Sequence, residues 1–142
     1  LLPLLTEAER TALDLWTTGV PLDTHPLALL REALDTRGVV RSDLVRHTRP
    51  GTLIEVAGLV THRQRPSTAG GTVFITLEDE SGSVNIVTWQ DVWMRYRLVA
   101  RASPALLVRG MLERSPEGVV NVIAESFEPL TAPAAVSSRD FR

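Results

Sequence analysis

Thr72-Val73-Phe74-Ile75-Thr76-Leu77-Glu78-Asp79-Glu80-Ser81-Gly82-Ser83-Val84-Asn85-Ile86-Val87-Thr88-Trp89 is the stretch on which the fold of this chain turns. From Thr72 to Glu78 it alternates strictly, with Val73, Ile75 and Leu77 on one face and Thr72, Phe74 and Thr76 on the other. A period of two is the mark of a strand with one face buried, because successive side chains leave an extended backbone in opposite directions. Asp79-Glu80-Ser81-Gly82 is turn chemistry, expected here as a solvated hairpin turn, and Ser83–Trp89 reads as the returning strand.

Upstream, Thr52–His62 is rich in apolar and β-branched residues and reads as the first strand, with Gly58 marking a bulge or sharp bend. Arg63–Gly71, containing Pro66, Ser67, Gly70 and Gly71, is the loop that follows. Downstream, Asp91–Ala102 has a helical pattern, with Val92, Trp93, Tyr96 and Val99 toward one side. Ala105–Glu113 and Val119–Phe127 are two further strands, joined by Ser115-Pro116-Glu117-Gly118. Three strands, a helix and two strands make the element order of an OB-fold, a five-stranded barrel with its helix between strands three and four. An SH3-like barrel lacks that full helix, and a sandwich needs more strands.

The chain therefore divides into a helical segment (1–49), an OB domain (50–130) and an extended tail (131–142). In the first part, Thr6-Glu7-Ala8-Glu9 has the form of a capping box, and Gly19 with Pro21 ends the helix it opens. A second helix is expected from Pro26 to Gly38, with Leu27, Leu29, Leu30, Ala33 and Leu34 as its stripe, and Ser42-Asp43 as the cap of a short third turn. Such short pieces cannot bury a core alone, so they are expected to pack on the barrel.

The chain has 142 residues, 44% of them hydrophobic and 23% charged, with a net charge of −2. That balance excludes a binder working by bulk positive charge. All 15 basic residues are arginine, a planar fork suited to phosphate and to stacking on bases. With no cysteine, disulfides, thiolate metal sites and thiol nucleophiles are excluded, which fits a reducing cytoplasm. No apolar run reaches the ~20 residues of a membrane span. The opening Leu-Leu-Pro-Leu-Leu has neither the charged start of a signal peptide nor an initiator Met, and reads as the end of a piece of something larger.

Catalytic patterns are missing. Without lysine there is no phosphate-binding Gly-Lys loop, no Gly-x-Ser-x-Gly elbow occurs, and His25, His47 and His62 are scattered singly. No metal or small-molecule cofactor is expected within these residues. A binding face is better supported. Arg63 and Arg65 enter a Gly/Ser/Thr loop with no acid before Glu78, so two guanidinium groups could follow a phosphodiester backbone; a plain solvated hairpin is the competing reading. Phe74 falls on the outer face of strand two, where it either stacks on an unpaired base or packs beneath the helical segment. Asn85 occupies the corresponding outer position of strand three. Arg114, beside the loop between strands four and five, is a further phosphate candidate. Trp89, Trp93 and Tyr96 are expected to seal the barrel end, and Arg95, Arg97 and Arg101 to form a solvated helix face.

Two resemblances add to this. Gly58-Leu59-Val60-Thr61-His62-Arg63-Gln64-Arg65 and Phe74-Ile75-Thr76-Leu77-Glu78-Asp79 through Ile86 are similar to the OB-type anticodon-binding domains of aminoacyl-tRNA synthetases. That likeness implies that Phe74 stacks on a base and that Arg63 or Arg65, and Asn85 in place of the usual Gln, contact RNA. Over nearly the whole chain, Thr18-Gly19-Val20-Pro21-Leu22-Asp23-Thr24-His25-Pro26-Leu27, Arg63-Gln64-Arg65-Pro66, Leu77-Glu78-Asp79-Glu80-Ser81-Gly82 and the terminal Ser138-Arg139-Asp140-Phe141 resemble the C-terminal region of bacterial DnaE-type DNA polymerases, of the error-prone ImuC type. This implies a module of a translesion polymerase that holds single-stranded template DNA. Its catalytic aspartates and divalent metal would lie upstream of Leu1, and mutasome proteins would be its other partners.

Overall fold

Five strands close into a barrel in the order β1-β2-β3-β5-β4, with β4 returning to β1: β1 (Leu53–Gln64), β2 (Val73–Asp79), β3 (Gly82–Thr88), β4 (Ala105–Arg114) and β5 (Val120–Pro129). The computed structural model describes residues 24–66 and 70–130. The capping-box helix and the tail from Thr131 lie outside them. Three short helices, α1 (Pro26–Leu29), α2 (Arg31–Arg37) and α3 (Ser42–Val45), precede the barrel, and α4 (Gln90–Ala102) stands between β3 and β4. The expected OB-fold is thus present, with its helix where the element order put it.

The period-two reading of β2 and β3 holds residue by residue. Val73, Ile75 and Leu77, and across from them Val84, Ile86 and Thr88, are all buried. Ile54, Val56, Val108, Leu112, Val122, Ala124 and Phe127 complete the interior. Helix α4 closes one end by inserting Trp93 and Ala100, and Tyr96 packs its ring against Phe127 with centroids 5.9 Å apart. Trp89 departs from the expected aromatic plug. It is 56% exposed, because it continues the outward parity of Asn85 and Val87 before the chain turns into the helix.

Strand β1 serves two neighbours. Leu53–Leu59 pairs with β4, and Leu59–Gln64 pairs with β2. The bulge expected at Gly58 lies instead between Val60 and His62, where the β1–β2 register shifts. Gly58 has a different reason to be glycine: a Cβ there would come within 2.9 Å of the Glu78 backbone and of the Leu77 side chain. The strand can cross from one partner to the other at this point only because nothing projects from it.

Outside the barrel lies a second core. Leu27, Leu30 and Leu34 pack with Val39 on Ala57, Leu59, Ala105, Leu107 and Leu130. Both faces of these parts of β1 and β4 are therefore covered, which explains their unbroken burial at positions 56–59 and 105–108. The helix expected from Pro26 to Gly38 is interrupted at Leu30, whose backbone (φ −92°, ψ −4°) separates α1 from α2; Gly38 (φ +90°) ends it as expected.

The β2–β3 turn is not a solvated hairpin. Asp79 is 3% exposed, and its carboxylate accepts from Ser81 N–H (2.8 Å), Ser81 Oγ–H (2.7 Å) and Gly82 N–H (3.1 Å) within the turn. Its other oxygen accepts from the Ser42 N–H at 2.8 Å and Ser81 Oγ accepts from the Asp43 N–H at 3.1 Å, so Asp79 and Ser81, not Ser42 or Asp43, satisfy the first turn of α3. Arg31 reaches Glu80 with two hydrogen bonds and approaches Asp79 at 3.5 Å. The turn is solvent-poor because the helical segment lies against it.

Candidate nucleic-acid interface

Strand parity decides what the barrel offers to a ligand. With Val73, Ile75 and Leu77 committed to the interior, Phe74 must point outward, and it is 39% exposed. It faces Val87 on β3 and Gln64 on β1. Trp89 follows one residue past the β2–β3 ladder, which ends at the Val73–Thr88 pair, and continues the outward parity of Asn85 and Val87. Two exposed aromatic rings thus occupy one corner of the outer face, where the loop between β1 and β2 returns through Gly70 and Gly71. Gly71 itself lies against the Gln90 side chain, which keeps this end of the loop close to the start of α4.

The ring of Phe74 begins an apolar row around the outer wall. Phe74 pairs with Val87, Val87 with Ile123, Ile123 with Met111, and Met111 with Leu53. Met111 and Leu53 are 49% and 41% exposed. One step along the strands the row is polar: Thr76, Asn85, Asn121 and Glu113. Asn85 is therefore outward and exposed, on the same side as Phe74 and one row from it.

The arginines separate into two kinds. Arg65 follows Gln64 on the exposed end of β1 and makes no hydrogen bond or ion pair among the described residues. Arg63 is turned the other way: Nε donates to the Ala100 carbonyl (2.9 Å) and Nη2 to the Ser103 carbonyl (2.7 Å). It caps the C-terminus of α4, where the last carbonyls lack intrahelical donors and the helix dipole favours a cation. Arg114 donates to the carbonyls of Arg46 and Thr48, tying the segment before β1 to the end of β4. Arg114 pairs with Val120 on β5, away from Phe74. Of the five residues expected to form the site, the structure puts Phe74 and Asn85 on one face, leaves Arg65 exposed just past the end of β1, and directs Arg63 and Arg114 to backbone carbonyls. Trp89 is the residue that the sequence reading missed. Its signal was the parity of β3 itself: if 84, 86 and 88 point in, 89 points out.

Among the described residues no group of three or more histidines and carboxylates is placed to hold a metal ion. His25 is engaged at both ring nitrogens: Nδ1 accepts from the Leu27 N–H, and Nε2 lies 3.1 Å from Glu78 Oε2. Both carboxyls of the β2–β3 turn are held below their usual range. Burial pushes Asp79 up, but the hydrogen bonds from Ser42 and Ser81 outweigh it, while Glu80 is lowered chiefly by Arg31. No helix of the described residues is long and apolar enough to cross a membrane. The arrangement offers stacking, hydrogen bonding and one unpaired guanidinium, which is the equipment of a binding surface.

The family described as "OB-fold nucleic acid binding domain" matches residues 54–130, and the chain belongs to it. Its relatives include error-prone DNA polymerases. The error-prone DNA polymerase of Cutibacterium acnes is 48% identical over 142 residues, that of Mycobacterium tuberculosis 44% over 141, and that of Corynebacterium glutamicum 41% over 143. These alignments take in 99–100% of this chain but 12–14% of each polymerase. Among solved structures, asparaginyl-tRNA synthetase from Pyrococcus horikoshii superposes with a TM-score of 0.56 at 21% identity, over 66% of this chain and 23% of the synthetase, a likeness of fold.

Proposed function

We propose that this chain is the template-holding module of an error-prone DNA polymerase acting in the cytoplasm during translesion synthesis, and that its ligand is single-stranded DNA. One observation carries the reading: Phe74 and Trp89 are both exposed on the outer face, and the unpaired Arg65 follows Gln64, the residue of β1 that pairs with Phe74. Unpaired bases stack on such rings with little regard to sequence, and a guanidinium follows the phosphate chain. That tolerance is what a polymerase copying damaged template requires. Asn85 adds a donor and an acceptor for a base edge. No metal or cofactor takes part in this role, and nucleotidyl transfer with its divalent metal belongs to the polymerase's catalytic region.

Few phosphates can be neutralised by one free arginine, so affinity is modest and depends weakly on salt. The test is a titration of labelled oligonucleotides at several salt concentrations. Single-stranded DNA is expected to bind in preference to duplex, and Phe74→Ala and Arg65→Ala are each expected to weaken it. Parent-like binding by both variants would remove the proposed face. A preference for RNA over DNA of equal sequence would move the reading to an RNA-binding module, since the 2′-hydroxyl is what distinguishes the two.

A further inference from the structure

Helix α4 has a second face that the barrel does not use. Trp93, Tyr96 and Ala100 turn inward, leaving Met94 51% and Leu98 67% exposed one turn apart. On a helix advancing about 100° per residue, Arg95 and Arg97 fall about 80° to either side of the line through Met94 and Leu98. In heptad terms Met94 is a d position and Leu98 the following a, with Arg95 at e and Arg97 at g. Arg101 follows at the next d. Arg95, Arg97 and Arg101 are exposed and form no ion pair among the described residues, and Asp91 is the one acid on the helix.

We propose that this face docks an amphipathic α-helix of another protein, one that presents aliphatic residues to Met94 and Leu98 and glutamate or aspartate to Arg95 and Arg97. An apolar ridge between two cations is the half-site of a helix pair whose partner choice is set by flanking charge. The chemistry argues against the other occupants. Leucine and methionine have no π-face on which a base could stack, so nucleic acid would leave the ridge uncovered. A second copy of this chain pairing through α4 would set arginine against arginine. The inference rests on residues of α4 alone and does not depend on the proposed DNA binding.

The experiment uses the 142-residue chain and synthetic helical peptides of about three heptads, long enough to form a stable helix on contact. One peptide carries leucine at a and d with glutamate at e and g; the second is the same with lysine; the third has the first composition scrambled. The glutamate peptide is expected to bind about fivefold more tightly than the lysine peptide at low salt, with the preference shrinking as salt rises. The double variant Arg95→Glu/Arg97→Glu is expected to invert the preference, and Leu98→Ser to weaken the glutamate peptide without altering the charge order. All three positions are exposed, so an unchanged thermal midpoint is the expected control. Equal binding of the three peptides overturns the proposal, as does indifference to both variants. Loss of single-stranded DNA binding in the charge-reversed chain, with no peptide preference in the parent, would assign the face to nucleic acid instead.

Discussion

Arg31 and Glu80 are joined by a two-pronged ion pair, Nε to Oε2 at 2.6 Å and Nη2 to Oε1 at 2.9 Å, that fastens the helical segment to the β2–β3 turn. Forty-nine residues separate them in the chain. The parallel fork matches the carboxylate geometry, and Arg31 also faces buried Asp79, so the pair holds charge that would otherwise be stranded. Arg31→Met is expected to cost about 2 kcal/mol, read as a shift of the denaturant midpoint. A shift within error of the parent would mean that the apolar contacts beneath it suffice.

Acid should loosen the same junction. Asp79 and Glu80 are both lowered in the folded chain, so their contribution is complete above the ordinary carboxylate range and is lost as pH falls through their folded values. The parent's thermal midpoint is expected to drop steeply below about pH 4. Asp79→Asn should start about 2 kcal/mol less stable at neutral pH and show a shallower acid slope. An identical slope in both would trace the acid sensitivity to other groups.

Trp89 gives an optical handle on the proposed interface. A base stacking on an exposed indole changes its emission, whereas Trp93 is buried in the barrel end. Adding oligo-dT should quench the tryptophan signal of the parent, and Trp89→Phe should remove most of that quenching while retaining part of the affinity. Trp89→Ala should cost ~1–3 kcal/mol of binding. Quenching that survives in Trp89→Phe would place the contact elsewhere.

Arg63 and Arg65 should part company. Arg65→Ala is expected to leave stability unchanged and reduce DNA affinity. Arg63→Ala removes two hydrogen bonds to the end of α4 and should destabilise the fold by about 1–2 kcal/mol. Comparing the two variants at a temperature where both are folded separates a cap from a contact.

Gly58→Ala tests the crossing of β1 between its two partners. The added methyl would meet Glu78 backbone atoms at 2.9 Å, which cannot swing aside as a side-chain tip would. A loss of about 2 kcal/mol is expected in urea unfolding. Full stability would show that β1 and β2 can separate there at little cost.

The barrel was legible because alternation is local: Val73, Ile75 and Leu77 announce their own face, and Phe74 is outward by the same rule. The buried turn was not, since Asp79-Glu80-Ser81-Gly82 is ordinary hairpin chemistry until a helix 49 residues upstream brings Arg31 to it. Arg63 shows the same limit within the site. Its place beside Arg65 suggests a shared role, and only the position of Ala100 and Ser103 reveals that its guanidinium faces the helix end. Trp89 was readable by parity, but its closeness to Trp93 and Tyr96 in the chain drew it into the wrong group.

The outer core of Leu27, Leu30 and Leu34 has a practical corollary for where this protein may be cut. The recognisable family span begins at residue 54, yet Ala57, Leu59, Ala105 and Leu107 rely on the preceding helices to keep them from water. Trimmed to that span, the strands would carry an oily flank of their own, prone to clump with its like. By this packing, the helices belong to the folding unit as much as the strands they cover.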